Sequence, residues 1–379
     1  MYQSDACILF NDQLKACAQT ALDVQEQYPL TFGPYLKKLM TFFDQCCTKI
    51  DKSQFQFFNK FLIKSMNFLR SVIECEAYCS GDVYIDRLSD RDKPESPDMF
   101  NKIRDSIEEF WANGKAETLS EHIVSHFFPL SPKEVSSWAE DPETYVLECD
   151  EMEADSVRSE AQKLLGSVIE CRKIPNFALD LVGKTVEMQW KAFASISPDF
   201  NVLLVDSVYL CFGINVFSLN TSNSKMSEFL KEILFPETEK LLGSKDNSPP
   251  VLLRRCVWLI GCSASYLDKE LTKRSISIFS AVINKIDKDC DAAVHLAALA
   301  SLSSFLELLE VEGNDFLSPE VLSALTFGIF STFQNFKEME SRQRALVCLS
   351  SVIESAGHNV VPLMEDLINA LLSVWGAAE

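Results

Sequence analysis

At 379 residues with 47% hydrophobic content, the chain carries enough apolar mass for a continuous core, which excludes wholesale disorder. Its 12 Gly and 14 Pro are few for a many-stranded β protein. A formal charge of -20 argues against nucleic acid, whose phosphates call for basic stripes, and against anionic membranes; it favours basic protein partners.

In chain order, residues 1–75 read as helical hairpins. Phe57, Phe58, Phe61, Leu62, Met66, Leu69 and Val72 recur at three- and four-residue spacing and trace one broad helical face. Residues 76–97, with Gly81, Asp82, Asp86, Asp90, Arg91, Asp92, Pro94 and Pro97, have little periodicity and read as a long mobile loop. Residues 98–138 read as a further helical hairpin. From 139 to 156 the sequence predicts an acidic loop: Glu140, Asp141, Glu143, Glu148, Asp150, Glu151, Glu153 and Asp155 follow one another with no Lys or Arg among them. Charges this close repel within a helix bundle, and Pro142 pushes Asp141 away from helical geometry. Such a loop suits a basic protein partner; a solvated connection that keeps the chain soluble is the alternative.

Residues 157–379 read as paired helices. Starts near Pro250, Cys290 and Glu340 are each followed by a partner near Asp268, Phe316 and Val360, roughly forty to fifty residues apart, the spacing of HEAT-type repeats. Proline stands just before an apolar helical run in Phe32-Gly33-Pro34-Tyr35-Leu36, in Val360-Val361-Pro362-Leu363-Met364 and, more loosely, at Ser318-Pro319, where a first-turn proline wastes no donor. Strand-type alternation is not sustained, so the class is all-α, a HEAT-repeat (armadillo-type) solenoid continuous with residues 1–75.

The 13 cysteines are scattered, odd in number and preceded by no secretory signal, so they read as thiols in a reducing compartment. Cys7, Cys17, Cys211, Cys256 and Cys348 lie among apolar residues and read as small hydrophobes. No apolar run reaches the length needed to span a bilayer, because Lys, Arg, Asp or Glu interrupts each candidate, and the chain is expected to be soluble and intracellular. There is no glycine-rich phosphate cradle, no C-x-x-C pair and no nucleophile elbow. His122 and His126 stand one helical turn apart, but the base of H-E-x-x-H is missing, so a helix face is favoured over a metal site. No catalytic residue, cofactor or metal is expected.

Several segments together resemble one family. Ser125-His126-Phe127-Phe128-Pro129-Leu130, then Trp138-x-x-Asp141-Pro142-Glu143-x-Tyr145, Asp206-Ser207-Val208-Tyr209, Leu253-Arg254-Arg255-Cys256-Val257-Trp258-Leu259-Ile260-Gly261 and Cys348-Leu349-Ser350-Ser351-Val352-Ile353-Glu354 are similar to patterns of the importin-β karyopherins, importin-eleven type, in family order. The resemblance implies a right-handed HEAT superhelix that carries protein cargo through nuclear pores between cytoplasm and nucleus. It also implies binding to phenylalanine-glycine repeats of nucleoporins. Only the central part of a longer receptor is matched: the amino-terminal repeats, where the family makes its principal contact with the GTPase Ran, have no counterpart here. Arg254 and Arg255 are expected to bridge neighbouring repeats through carboxylates. The rival reading is a HEAT scaffold that assembles complexes without transport.

Overall fold

A computed structural model describes residues 2–49, 55–79, 98–152, 156–172, 174, 177–178, 180–181, 201–216, 224–243, 250–285, 291–309 and 316–376; among them are helices and turns and no strand. The chain divides into two compact units, Met1–Pro129 with Met152–Phe177, and Leu130–Glu151 with Ala178–Glu379.

The first unit begins with α1 (Tyr2–Gln27), α2 (Leu36–Lys49), α3 (Phe55–Glu74), the short α4 (Glu76–Cys79), α5 (Asp98–Trp111) and α6 (Lys115–His126). The chain then enters the second unit with α7 (Pro132–Glu140) and α8 (Pro142–Met152), and returns to the first with α9 (Val157–Arg172). Helix α3 is central to the first unit and packs against α1, α2 and α9. Phe61, Leu62, Met66, Leu69 and Val72 of its predicted face are buried, joined by Phe68, whose ring lies 4.6 Å from that of Phe43. Burying each such side chain stabilises the unit by about 1.5–3 kcal/mol. The Pro34 signal gives a 3-10 turn, Gly33–Tyr35, that leads into α2.

Two boundaries read from sequence change. The loop expected from residue 76 starts as helix: Ala77 and Tyr78 of α4 are buried, and the Tyr78 hydroxyl donates to Pro29 O at 2.9 Å. Residues 80–97 lie outside the described residues. The hairpin expected over 98–138 is α5 and α6 only. Ser131 starts a separate helix, because its hydroxyl accepts from Glu134 N–H while the Glu134 carboxylate accepts from Ser131 N–H, a complete capping box.

The second unit continues with α10 (Val202–Asn215), then α11 (Ser224–Glu228), which runs through a π-helical turn, Phe229–Leu234, into α12 (Phe235–Gly243). Among the described residues six α-helices follow: α13 (Pro250–Cys262), α14 (Lys269–Ile283), α15 (Ala292–Leu309), α16 (Pro319–Asn335), α17 (Met339–Ala356) and α18 (Met364–Gly376). Helices α10, α13, α15 and α17 pack in sequence as one row, and α12, α14 and α16 as a second, the two-layer arrangement of HEAT pairs. Side chains cap these starts: Asp268 accepts from Glu270 N–H and Leu271 N–H, Ser318 accepts from Val321 N–H ahead of Pro319, and Asp291 accepts from Ala293 N–H. Between α13 and α15 the backbones approach closely; a Cβ on Gly261 would stand 2.8 Å from Ser301 Cβ, so glycine is required there.

Successive repeats are also joined by polar bonds. The carbonyls that end α14 are taken by the next helices: His295 Nε2–H donates to Val282 O at 3.1 Å and Thr332 Oγ1 to Ile283 O at 3.2 Å. Among the described residues one stretch, Met339–Leu372, is long and apolar enough by composition to cross a membrane. Here it is two helices, divided at Gly357 (φ +52) and a 3-10 turn holding Pro362. Of the cysteines read as small hydrophobes, Cys211, Cys256 and Cys348 are buried, and burial pushes the Cys348 thiol up to about 12. Cys17 is exposed instead, and the side chain of Cys7 lies outside the described residues.

Candidate protein-interaction site

As far as Met152 the acidic run is two helices and not a loop. Asp141 is extended (φ -148, ψ 94), as a residue before proline should be, and it ends α7. Pro142 then opens α8 as its first residue, where a missing N–H costs nothing, and Asp141 Oδ1 accepts from Thr144 N–H at 3.1 Å to cap the new helix. A tight corner between two helices results, and the motif residues turn inward from it.

Trp138 is 4% exposed and stacks on Tyr145, with ring centroids 5.3 Å apart. Its Nε1–H donates to Asp291 Oδ2 at 2.6 Å, while Asp291 Oδ1 caps α15 by accepting from Ala293 N–H at 2.8 Å. Burial raises the Asp291 carboxyl above the usual carboxylate range; the bonds from Trp138, Ala293 and Val294 and the charge of Arg254 oppose that rise. The Arg254 guanidinium lies 5.2 Å from the Trp138 ring centroid, a cation–π contact from α13. Glu143 is 4% exposed, and its carboxylate accepts from Lys337 N–H at 3.0 Å and Glu338 N–H at 2.9 Å, at the start of α17. The corner therefore clasps α13, α15 and α17 through Trp138 and Glu143. Trp138 and Asp291 are 153 residues apart in sequence, so no local pattern announces their meeting.

The eight acidic residues separate accordingly. Glu140 and Glu148 are exposed, Asp141 is half-buried as a cap, and Glu143 is consumed in the clasp. Asp150 and Glu151 lie in α8, while Glu153 and Asp155 lie outside the described residues. Glu143 is thus corrected from a surface residue to a structural one: its charge is met by two backbone donors of another helix, which removes the repulsion on which the loop reading rested.

Arg255 follows the expected pattern, whereas the contact of Arg254 is with the face of Trp138. Arg255 Nε pairs with Asp206 Oδ1 at 2.8 Å, joining α13 to α10, with side chains only 13% and 3% exposed. His122 and His126 stack at 3.9 Å between centroids, and burial together with the charge of His126 lowers the His122 pKa. Among the described residues no group of three His, Cys, Asp or Glu side chains could hold a metal ion.

Comparison with known proteins finds relatives along most of the chain. The chain is 25% identical over 361 residues to Importin-11 of Mus musculus and 24% identical to Importin-11 of Homo sapiens, in each case across 94% of this chain. The chain is similar to Importin-11 along most of its own length. It spans 35% of the length of those relatives. No family model matches it. Its fold is similar to that of Lph2, a bidirectional nuclear transport receptor of S. cerevisiae, with a TM-score of 0.69 at 13% identity over 98% of this chain and 38% of that one. It is also similar to Kap121p bound to Pho4p, with a TM-score of 0.54 at 14% identity over 96% of this chain and 30% of the other. The HEAT-repeat class read from the helix spacing is therefore the observed one.

Proposed function

We propose that this importin-11-like chain is a non-enzymatic, cargo-binding portion of a nuclear transport receptor. In this reading it takes protein cargo with a basic surface, engages phenylalanine-glycine repeats of nucleoporins and works between cytoplasm and nucleus at the pore. Its similarity to Importin-11 across 94% of its length carries the reading. Kap121p, a fold neighbour, was solved with the protein Pho4p bound, which supports a protein ligand for repeats of this architecture.

Charge supports the cargo class. At -20 the chain attracts basic partners, and Glu140 and Glu148 are exposed carboxylates of the α7–α8 corner. Exposed aromatic side chains support the nucleoporin class: Tyr35 is 61%, Phe42 47% and Phe327 65% exposed. Ran binding rests on the resemblance alone.

The cargo reading is tested by titrating a basic import-signal peptide into the full chain and into a Glu140→Gln/Glu148→Gln variant. Tighter and more salt-sensitive binding of the basic peptide than of a neutral one by the wild type, weakened in the variant, is the expected result. Equal affinity for both proteins removes the acidic corner from the cargo surface.

A further inference from the structure

The last turn of α3 leaves carbonyls with no intrahelical donor, and Ile73 O is one of them. Two thiols from different helices converge on it. Cys79 Sγ, at the end of α4, donates at 3.2 Å, and Cys171 Sγ, in the last turn of α9, donates at 3.7 Å. Both cysteines are exposed, unlike Cys47, Cys211, Cys256 and Cys348, which are buried among apolar side chains. A single acceptor thus gathers two solvent-reachable sulfurs that are 92 positions apart in sequence, on one side of the α3 terminus.

We propose that Cys79 and Cys171 form a redox-modifiable dithiol, oxidised to a disulfide by exchange with a small-molecule disulfide of the glutathione type. One protein thiolate attacks a sulfur of the small disulfide, forming a mixed disulfide and expelling one small thiolate. The second protein thiolate then attacks the protein sulfur of that mixed disulfide and expels the other small thiolate. The two protons leave the protein thiols and end on the two small thiols, so one disulfide is formed and one is reduced. The product ties α4 to α9 within the first unit and closes a covalent loop that contains α5 through α8.

The pair is set for slow exchange, not for rapid catalysis. Burial raises the Cys79 thiol. Burial also raises Cys171, helped by Cys79, Glu170 and Glu74 and opposed by Arg172. Since the thiolate is the attacking form, exchange quickens as pH rises above neutral. A helix-terminal pair of this kind responds to sustained oxidation and stays reduced in a strongly reducing compartment.

The test incubates the folded full chain with oxidised glutathione, blocks the remaining thiols by alkylation and maps the linked peptides by mass spectrometry. The expected product is a Cys79–Cys171 linkage, dominant among the 13 cysteines, faster at higher pH and lost on treatment with dithiothreitol. Separate glutathione adducts on Cys79 and Cys171 with no link between them overturn the proposal. So does a dominant Cys75–Cys79 linkage, because Cys75 is the neighbouring thiol on the same short segment.

Discussion

Replacing Glu143 should unclasp α17, and the structure sets the size of the effect. The carboxylate is 4% exposed and accepts from two backbone amides, Lys337 N–H at 3.0 Å and Glu338 N–H at 2.9 Å. A hydrogen bond to a charged group contributes about 1.5–3 kcal/mol, and a negative charge at a helix start adds about 0.3–1 kcal/mol. The two bonds run to the two oxygens of one carboxylate and do not add fully, so Glu143→Ala should cost about 4 kcal/mol, which for a unit of this size lowers the melting temperature by about 10 °C. Glu143→Gln keeps the volume and one acceptor oxygen but turns an amide N–H toward a backbone N–H, so about half that loss is expected. Glu148→Gln, at an exposed position of the same helix, should stay within about 0.5 kcal/mol of wild type. Calorimetric melts of the three variants read this order directly. If Glu143→Ala melts within about 1 °C of wild type, the clasp is not structural and the reasoning fails.

Trp138→Phe keeps an aromatic face for Arg254 but strands Asp291 Oδ2, and should destabilise by about 2 kcal/mol in urea unfolding; Trp138→Leu, which loses the face as well, should be worse. Arg255→Met leaves Asp206 buried without its cation and should cost about 3–5 kcal/mol, whereas Arg255→Met with Asp206→Leu should recover most of that loss in a double-mutant cycle. His295 titrates below its usual value because it is buried, so the unfolded chain takes up the proton first. Its contribution is therefore full above about pH 6.5 and is lost as pH falls through the lowered folded-state value. Melts across that window should show the slope, and His295→Gln should flatten it.

What the sequence revealed was local chemistry. Asp268 and Ser318-Pro319 announced helix starts because a cap acts within three residues of itself, and the starts of α13, α15 and α17 followed from the repeat spacing. The acidic run was misread for the same reason. Pro142 does end a helix, but it equally suits the first position of the next one, and the corner is tight where a loop was expected. Like-charge repulsion was the stronger argument for a loop, and it failed at Glu143, whose partners are backbone amides 194 and 195 residues away. The same distance hid the convergence of Trp138, Arg254 and Asp291. Arg255 was legible as a bridge between repeats, because an arginine on an apolar helix needs a carboxylate; which carboxylate it finds is set by the packing of α13 on α10.

The most direct test of the transport assignment is a titration of phenylalanine-glycine repeat peptides into the full chain, followed by fluorescence anisotropy, beside matched peptides with serine in place of phenylalanine. The account predicts weak, saturable binding of the phenylalanine peptides and none of the serine controls, with the exposed aromatic positions Tyr35, Phe42 and Phe327 as the first to substitute. Indifference to both peptides, with binding of basic proteins retained, would contradict the transport reading and leave a HEAT scaffold.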